Sequence, residues 1–273
     1  MDTYIYLKLG GSLLTEKKSA HTPRLDVIER CALEIKHGLD CIPSRRLILG
    51  HGSGSFGHVP AKKYQTRSGV HTPQEWQGFV EVWQEARMLN QLVVDACIRA
   101  GLPVIAFPPS AMILTRQGVV QTWNMEPLLA AIRQGMIPLV YGDVVFDSAL
   151  GGTILSTEDV FAELVKHLPP ARVLLAGVEK GVWQDFPKCT TLIKKIGFTT
   201  DDEIIRFAGG SDAPDVTGGM QEKLRILIGL VKQNQNCQRQ IFSGIEPGSI
   251  ETVLCGAQNG TTVTLDQGEG EGG

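Results

Sequence analysis

The feature that most constrains this chain is the junction between a short apolar segment, 47–49, and the glycine-rich loop that follows it. The apolar segment is typical of a buried β-strand, and the loop leaves little room for side chains. Glycine at this density lets backbone N–H groups approach an anion closely, and a helix beginning after the loop would add its positive N-terminal end. The junction therefore predicts a phosphate-binding loop, whose glycines are Gly50, Gly52, Gly54 and Gly57.

Two other interpretations of this loop remain open from its residues alone. Gly52, Gly54 and Gly57 also have the spacing of the dinucleotide-binding fingerprint, which requires an acidic residue about 20 positions further on, at the end of a strand. Glu75 has roughly that spacing, but the Pro-Gln-Glu-Trp segment around it is typical of the start of a helix. Alternatively, the glycines simply form a tight turn between a strand and a helix.

The first predicted strand, 4–9, also ends in glycine. It contains one charged residue, Lys8, and leads into the Gly-Gly-Ser segment 10–12. Burial of a lysine is costly unless its ammonium group reaches an anion, so Lys8 indicates a charged ligand at the carboxyl end of this strand. Lys17 and Lys18 follow in a polar loop, where the alternatives are a solvated pair and a flexible lysine that reaches a phosphate.

Length and charge limit the kinds of partner. At 273 residues the chain is long enough for one large α/β domain or for two lobes that share a sheet. The formal net charge of −3 gives no general attraction to nucleic acid or to an anionic membrane, so any anion site must be local. We therefore expect a small-molecule phosphate substrate, with neither a nucleic acid nor a membrane as partner.

The cysteines and the N-terminal residues indicate a cytoplasmic protein. Met1 leads directly into the first strand without a signal sequence, and no apolar run approaches the roughly 20 residues that span a bilayer. The cysteines are scattered, without a C-x-x-C pair or nearby histidines, which predicts reduced thiols rather than a zinc site or a disulfide framework. They are Cys31, Cys41, Cys97, Cys189, Cys237 and Cys255.

Apolar spacing predicts helices over 25–39 and, with polar breaks, over most of 60–99. In the second of these segments Trp76, Phe79 and Trp83 lie at helical spacing and form an apolar stripe. Such a stripe ordinarily packs in the core. The alternative is that it lines an apolar pocket.

Acidic residues accompany two later elements. The strand-like run from 137 ends in a Gly-Asp pair, which places the carboxylate of Asp143 at the carboxyl end of a strand, where ligands bind in open α/β sheets. Ser156 is a natural N-cap for a helix, and Glu158 and Asp159 in its first turn favour the helix dipole.

The Pro-Pro pair at 169–170 is typical of a joint between two lobes. Strands resume after it, followed by a predicted loop at 177–185 and a predicted helix at 220–233. The predicted boundaries are 1–168 for the first lobe, 169–266 for the second and 267–273 for a disordered Gly/Glu tail.

Four motifs together resemble the amino acid kinase family from about residue 4 to residue 265. They are K-L-G-G-S at 8–12, H-G-S-G-S-F-G-H at 51–58, Gly-Asp at 142–143, and D-V-T-G-G-M at 215–220 followed by Lys223. The first and last mark the family. The histidine that closes the second motif is typical of the branch in which the acceptor is itself a phosphate.

The resemblance implies an α/β fold, a three-layer αβα sandwich with a mainly parallel central sheet. The lobe 1–168 would bind the acceptor and the lobe 169–266 would bind ATP. The resemblance further implies an ATP-dependent kinase that uses Mg²⁺ carried by the nucleotide, without a metal site of its own, and that forms a homodimer.

The resemblance also assigns residues to roles. Lys8, Lys17 and Lys223 would stabilise the transferring phosphoryl group, and His58 would donate a hydrogen bond to the acceptor phosphate. The nucleotide would be bound by Lys8, Gly10, Gly11, Ser12, Gly54, Glu179, Gly181, Trp183, Asp185, Gly218, Gly219 and Lys223. The acceptor would be bound by Gly52, Ser53, Gly57, His58, Ser156 and Thr157, together with Phe79 and Trp83 from the aromatic stripe.

The chemistry of such a transfer agrees with these residues. Moving a γ-phosphoryl group from ATP to another phosphate brings two polyanions together, so neutralisation of charge dominates. The acceptor phosphate is already ionised at neutral pH, so no strong general base is needed. The aromatic stripe favours an isoprenoid acceptor, isopentenyl phosphate with dimethylallyl phosphate beside it. The alternatives are a fosfomycin kinase-like or other small-phosphate kinase of the family and, more remotely, an NAD-dependent oxidoreductase or a non-catalytic nucleotide sensor.

Overall fold

The computed structural model describes residues 4–16, 19–42, 46–198 and 237–265, together with Met220, Leu224 and Leu227. The strands are β1 (Tyr4–Leu9), β2 (Arg46–His51), β3 (Val104–Ala106), β4 (Ile113–Arg116), β5 (Val119–Trp123), β6 (Ile137–Tyr141), β7 (Asp143–Asp147), β8 (Gly151–Leu155), β9 (Pro170–Gly177), β10 (Val182–Trp183), β11 (Leu192–Ile193), β12 (Lys195–Phe198), β13 (Gln238–Ser243) and β14 (Thr261–Leu265). The helices are α1 (Gly11–Leu14), α2 (Leu25–Asp40), α3 (Gly54–Tyr64), α4 (Pro73–Arg99), α5 (Pro109–Met112), α6 (Glu126–Arg133), α7 (Thr157–His167) and α8 (Ser249–Leu254), with a 3-10 turn at Thr66–Ser68. No helix in the described ranges is long and apolar enough to cross a membrane.

One sheet of eight strands forms the middle layer, in the order β12-β14-β13-β9-β1-β2-β6-β3. Every neighbouring pair in it is parallel except β13 and β14. The carboxyl ends of β1, β2, β6, β9 and β13 therefore meet at one edge, where ligands bind in open α/β sheets. A separate four-stranded sheet has the order β5-β4-β7-β8.

Alternating side chains of the central strands bury two hydrophobic cores, one on each face of the sheet. In β1, Tyr6 contributes to one core, whereas Ile5 and Leu7 contribute to the other. Helices α6 and α7 pack on the first face, and α2, α4 and α8 pack on the second. The result is the three-layer αβα sandwich that the family resemblance implied.

The predicted lobes share this sheet, because β9 from the second lobe lies between β1 and β13. The boundary between 168 and 169 stays a prediction. The tail at 267–273 lies outside the described residues. In the predicted helix 220–233 the described residues are Met220, Leu224 and Leu227, which are helical and buried.

Two local predictions are corrected by the structure. The predicted loop 177–185 contains β10, which pairs with β11. Cys41 and Cys255, predicted to be reduced thiols, form a disulfide with a Cα–Cα distance of 5.5 Å. These cysteines are 214 positions apart in the chain, so no local spacing signalled the pairing; it arises because α2 and α8 pack against the same face of the sheet.

The position of Glu75 in the first turn of α4 contradicts the dinucleotide-binding interpretation of the glycine loop. Thr72 Oγ1 accepts a hydrogen bond from the Glu75 N–H at 3.3 Å. The Glu75 carboxylate in turn accepts from the N–H groups of Thr72 at 2.9 Å and His71 at 2.7 Å. Glu75 thus completes a capping box at the start of a helix, as its local sequence predicted, and does not end a strand.

Candidate active site

A cavity of about 760 Å³ opens at the carboxyl edge of the central sheet. It is bordered by the ends of β1 and β2, by the first turns of α1, α3 and α7, and by one side of α4. Val178 and Glu179, which follow β9, border it from the second predicted lobe. The two predicted lobes therefore both contribute to its wall.

The two glycine loops pack backbone against backbone at this cavity. A Cβ atom on Gly11 would lie 2.3 Å from the backbone nitrogen of Gly54, and one on Gly52 would lie 2.8 Å from the backbone nitrogen of Gly11. Gly54 also has a φ of +53°, in the left-handed region that favours glycine. Larger residues at these three positions would push the loops apart, so packing alone requires these glycines.

The same loops supply hydrogen-bond donors for an anion. Helix α1 begins at Gly11 and α3 begins at Gly54, and neither N-cap residue makes a side-chain cap; in the first turn of α3 the Ser55 N–H donates to Thr15 Oγ1 at 2.9 Å. The first N–H groups of a helix have no partner within it. The cavity edge therefore has the donors that a phosphate group accepts from, which supports the phosphate-binding interpretation of the loop.

Lys8 lies at the carboxyl end of β1, is 7% exposed and lines the cavity. Its ammonium group forms a buried ion pair with Glu158, in the first turn of α7. The sequence indicated that a charged ligand compensates the burial of this lysine. In the structure the protein itself supplies the anion, the carboxylate of Glu158. The two residues are 150 positions apart, and no sequence spacing linked them.

Asp143 is a buried carboxylate in the cavity wall, beside the carboxyl end of β6, as predicted. It accepts hydrogen bonds from the N–H groups of Val144 at 2.9 Å and Ser110 at 3.3 Å. Burial raises its pKa from 3.8 to about 6, against the opposing effect of these hydrogen bonds. A perturbed carboxyl pKa in a ligand-sized cavity is typical of a functional site.

The pKa of Asp147, at the other end of β7, is shifted in the opposite direction. Burial raises its pKa, but hydrogen bonds from the N–H groups of Gly118, Leu150 and Ala149 and from the Thr115 hydroxyl outweigh this effect, so its pKa lies well below the ordinary value. The N–H groups of Gly118 and Leu150 each donate to it at 2.8 Å. Asp147 therefore organises the turns beside β7.

We expect Asp143→Asn to raise the free energy of unfolding at neutral pH and Asp147→Asn to lower it. The pKa of Asp143 is higher in the folded state than in the unfolded chain. Its ionisation therefore costs the fold roughly 3 kcal/mol above about pH 6, and this cost disappears as the pH falls toward 3.8. The ionised Asp147 stabilises the fold instead, and that stabilisation is lost as the pH falls through its low folded-state pKa.

Urea unfolding of both variants and the wild type at about pH 7 and about pH 4 measures these effects. The gain from Asp143→Asn should shrink at the lower pH. A destabilised Asp143→Asn protein at neutral pH would contradict the assignment of a raised pKa.

His51 and Thr157 support the wall between β2 and α7. The Thr157 hydroxyl donates to the His51 carbonyl at 2.5 Å, and His51 Nε2 lies 3.2 Å from Asn90 Oδ1. Burial lowers the pKa of His51, so its ring is neutral at neutral pH. The first histidine of the glycine-loop motif therefore has a structural role.

The structure brings together most of the described residues that the sequence predicted to bind substrates. Those lining the cavity are Lys8, Gly10, Gly11, Ser12, Gly52, Ser53, Gly54, Gly57, Ser156, Thr157 and Glu179. The other three residues predicted for the nucleotide, Gly181, Trp183 and Asp185, are not part of its lining. Trp183 Nε1 donates to Glu179 at 3.0 Å, and Asp185 accepts hydrogen bonds within its own loop.

The nucleotide-binding roles of these three residues stay predictions. The remaining predicted site residues lie outside the described part of the structure, as does the side chain of His58, so their roles also stay predictions. These residues are Lys17, Gly218, Gly219 and Lys223.

The aromatic stripe of α4 lies beside the cavity. Phe79 is buried in a small hydrophobic cluster, against which Trp83 packs. The residues of α4 that line the cavity are Val82 and Ala86. The other apolar side chains of the wall are Ala61, Ile154, Val178 and Met220. The role of Phe79 and Trp83 in acceptor binding stays a prediction.

Sequence reasoning missed several polar residues in the cavity wall. Arg24 pairs with Glu16 at 2.7 Å, and Arg67 pairs with Asp159 at 3.2 Å. Basic residues in polar segments are usually solvated, so their types alone carried no signal. The missed residues are Thr15, Arg24, Lys62, Arg67 and Glu158. The one available signal was closeness in sequence to the glycine loops, and it applies to Thr15 and Lys62.

Comparison with known proteins decides the family. Residues 4–243 match the amino acid kinase family. The chain belongs to the amino acid kinase family. The resemblance inferred from its motifs is thereby confirmed.

This amino acid kinase family member is similar to two proteins named isopentenyl phosphate kinase. It is 30% identical over 268 residues to that of Methanocaldococcus jannaschii, covering 96% of this chain and 98% of the relative. It is 34% identical over 272 residues to that of Methanothermobacter thermautotrophicus, covering 95% of this chain and 98% of the relative. A crystal structure of isopentenyl phosphate kinase superimposes with a TM-score of 0.78 at 30% identity, covering 95% of this chain and 99% of that one. The agreement over nearly the whole length confirms the predicted fold class.

Proposed function

We propose that this protein is an ATP-dependent kinase that transfers the γ-phosphoryl group of ATP to isopentenyl phosphate, and also to dimethylallyl phosphate, giving the diphosphate and ADP. The observation that carries the proposal is the composition of the cavity wall, which combines the two glycine loops and Lys8 with apolar side chains of α4 and β8. Relatives named isopentenyl phosphate kinase, similar over nearly the full length, support the same activity.

The charges around the cavity suit a reaction between two polyanions. Two helices begin at its edge, and its lining carries four basic side chains and three carboxylates: Lys8, Arg24, Lys62 and Arg67 with Asp143, Glu158 and Glu179. Cationic side chains and oriented N–H groups stabilise the charge that spreads over the transferring phosphoryl group. Mg²⁺ enters as part of the MgATP substrate. No general base is required, because the acceptor phosphate is ionised before it binds.

The two substrates would occupy different sides of the cavity. Val178 and Glu179 mark the nucleotide side, at the carboxyl end of β9, whereas Val82 and Ala86 mark the side of the acceptor tail. Lys17 and Lys223 would join Lys8 at the transferring group, and His58 would orient the acceptor phosphate. We further propose that the enzyme works as a homodimer in the cytoplasm.

Release of ADP, followed with a coupled assay, tests the proposed function. The acceptors to compare are isopentenyl phosphate, dimethylallyl phosphate, fosfomycin, uridylate and acetylglutamate. We expect turnover with the two isoprenoid monophosphates to exceed that with the other three. Preference for fosfomycin or uridylate would move the protein to another branch of the family. NAD binding without ATP binding would remove it from the kinases.

Val82 lines the cavity and is therefore a further candidate, besides Phe79 and Trp83, for setting acceptor length. We expect Val82→Ala to increase turnover with longer prenyl phosphates by about tenfold relative to isopentenyl phosphate, because it removes bulk from the cavity wall. Val93→Ala is the matched control: it lies on the same helix, loses the same atoms and is buried in the core. Both variants should lose roughly 2 kcal/mol of stability.

Kinetics with a series of prenyl monophosphates, together with thermal unfolding, measure this difference. Identical acceptor profiles for the two valine variants would contradict it. Phe79→Ala tests the earlier expectation for the aromatic stripe, since a changed acceptor profile would place Phe79 in contact with the tail.

A further inference from the structure

Thr15 lies at the point where the two glycine loops meet. It follows α1, is 0% exposed and belongs to the cavity wall. Its hydroxyl donates a hydrogen bond to the Gly11 carbonyl at 2.9 Å and accepts one from the Ser55 N–H at 2.9 Å. One side-chain oxygen therefore connects the first turn of α1 to the first turn of α3. Thr15 and Ser55 are 40 positions apart in the chain.

The packing around this oxygen leaves little freedom to the loops. A Cβ atom on Gly54 would lie 2.2 Å from Thr15 Oγ1 and 2.7 Å from the Gly11 carbonyl oxygen. Ser and Thr are the side chains of this size that donate and accept through the same atom. A valine of the same shape would fill the space but would leave the Ser55 N–H without its acceptor.

We propose that Thr15 is a positioning residue, which sets the distance between the nucleotide-side loop at 10–12 and the acceptor-side loop at 52–57. This inference rests on the proposed kinase function, in which the two loops hold the reacting phosphates. Phosphoryl transfer requires the attacking and leaving oxygens in line, and a displacement of about 1 Å costs roughly 100-fold in rate. The hydroxyl contacts backbone groups of both loops and thereby fixes this alignment.

The proposal predicts a change in kcat at nearly constant KM. Each loop keeps its own donors in Thr15→Val, so each substrate still binds, but the alignment of the two substrates is lost. We expect kcat to fall roughly 10- to 100-fold, with KM for ATP and isopentenyl phosphate within about threefold of wild type. Thr15→Ser retains the hydroxyl and should keep kcat within about threefold of wild type.

Thr115→Val is the matched control. Thr115 is also 0% exposed, and its hydroxyl also bridges, donating to Asp147 at 2.8 Å and lying 3.2 Å from the Phe146 carbonyl oxygen. It lies in the small sheet and is not part of the cavity wall. We expect Thr115→Val to lower the melting temperature while leaving kcat unchanged.

Amide hydrogen exchange gives a readout that does not depend on the acceptor. In Thr15→Val the amides of both loops, 10–12 and 52–57, should exchange faster than in wild type, whereas Thr15→Ser should resemble wild type. Faster exchange confined to the Ser55 amide, or unchanged exchange in both loops, would overturn the proposal. So would a Thr15→Val protein with wild-type kcat, or a Thr15→Ser protein as slow as Thr15→Val. If the wild type phosphorylates none of the acceptors, the proposed function fails, and the exchange result alone decides the role of Thr15.

Discussion

Replacing Lys8 by Met is expected to lower turnover by about 100-fold or more, because the variant loses a cationic contact to the transferring phosphoryl group. The structure adds a second effect. The buried Glu158 carboxylate would lose its ion pair with Lys8, and breaking a buried ion pair costs roughly 3–5 kcal/mol of stability. Steady-state kinetics and thermal unfolding of the variant measure the two losses.

The double variant Lys8→Met/Glu158→Gln separates these effects. The neutral amide removes the buried negative charge that has lost Lys8, so stability should recover relative to the single variant while turnover stays low. Recovery of turnover together with stability would show that Lys8 acts through the fold. Near-native turnover in folded Lys8→Met would remove Lys8 from the site.

His58→Ala is expected to abolish most acceptor turnover while leaving ATP affinity close to that of wild type. The reason is that the proposed hydrogen bond goes to the acceptor phosphate and not to the nucleotide. His58→Gln and His58→Asn can still donate through an amide, so they should recover part of the rate. A general base could not be replaced by an amide that takes up no proton.

The competing role for His58 is structural support for α3 and the glycine loop. Under that role His58→Ala would weaken ATP binding along with acceptor turnover. ATP dissociation constants and isopentenyl phosphate kinetics for the three variants distinguish the roles. Unchanged kinetics of His58→Ala with every acceptor would contradict the assignment of a phosphate as acceptor.

Local patterns were enough to locate most of the described cavity. The alternation of apolar residues predicted β1 and β2, and the glycines after them marked the edge at which the cavity opens, because the carboxyl ends of parallel strands meet there. Asp143 was found in the same way. The N-terminus of α4 could also be predicted from the sequence, since Thr72 and Glu75 interact within a single turn.

Contacts between segments that are distant in the chain could not be predicted from local spacing. The sequence showed that Lys8 needs an anion, but the choice of Glu158 depended on how α7 docks against the end of β1. The same holds for the pairing of Cys41 with Cys255, which required α2 and α8 to pack on one face of the sheet. The aromatic stripe showed an apolar face of α4, whereas the packing decided that Val82 and Ala86 line the cavity.

The sequence by itself determined the glycine loops and the anion-binding character of the site, because glycine density and a lysine within an apolar strand are properties of neighbouring residues. Its four motifs carried the resemblance to the fold family. The tertiary structure alone decided which side chains meet inside the cavity. Thr15 and Ser55 show the reason most directly: their hydrogen bond spans 40 positions, and it forms because the two glycine loops approach each other backbone to backbone at Gly11, Gly52 and Gly54. Such contacts depend on the relative placement of whole strands and helices, which many residues set together.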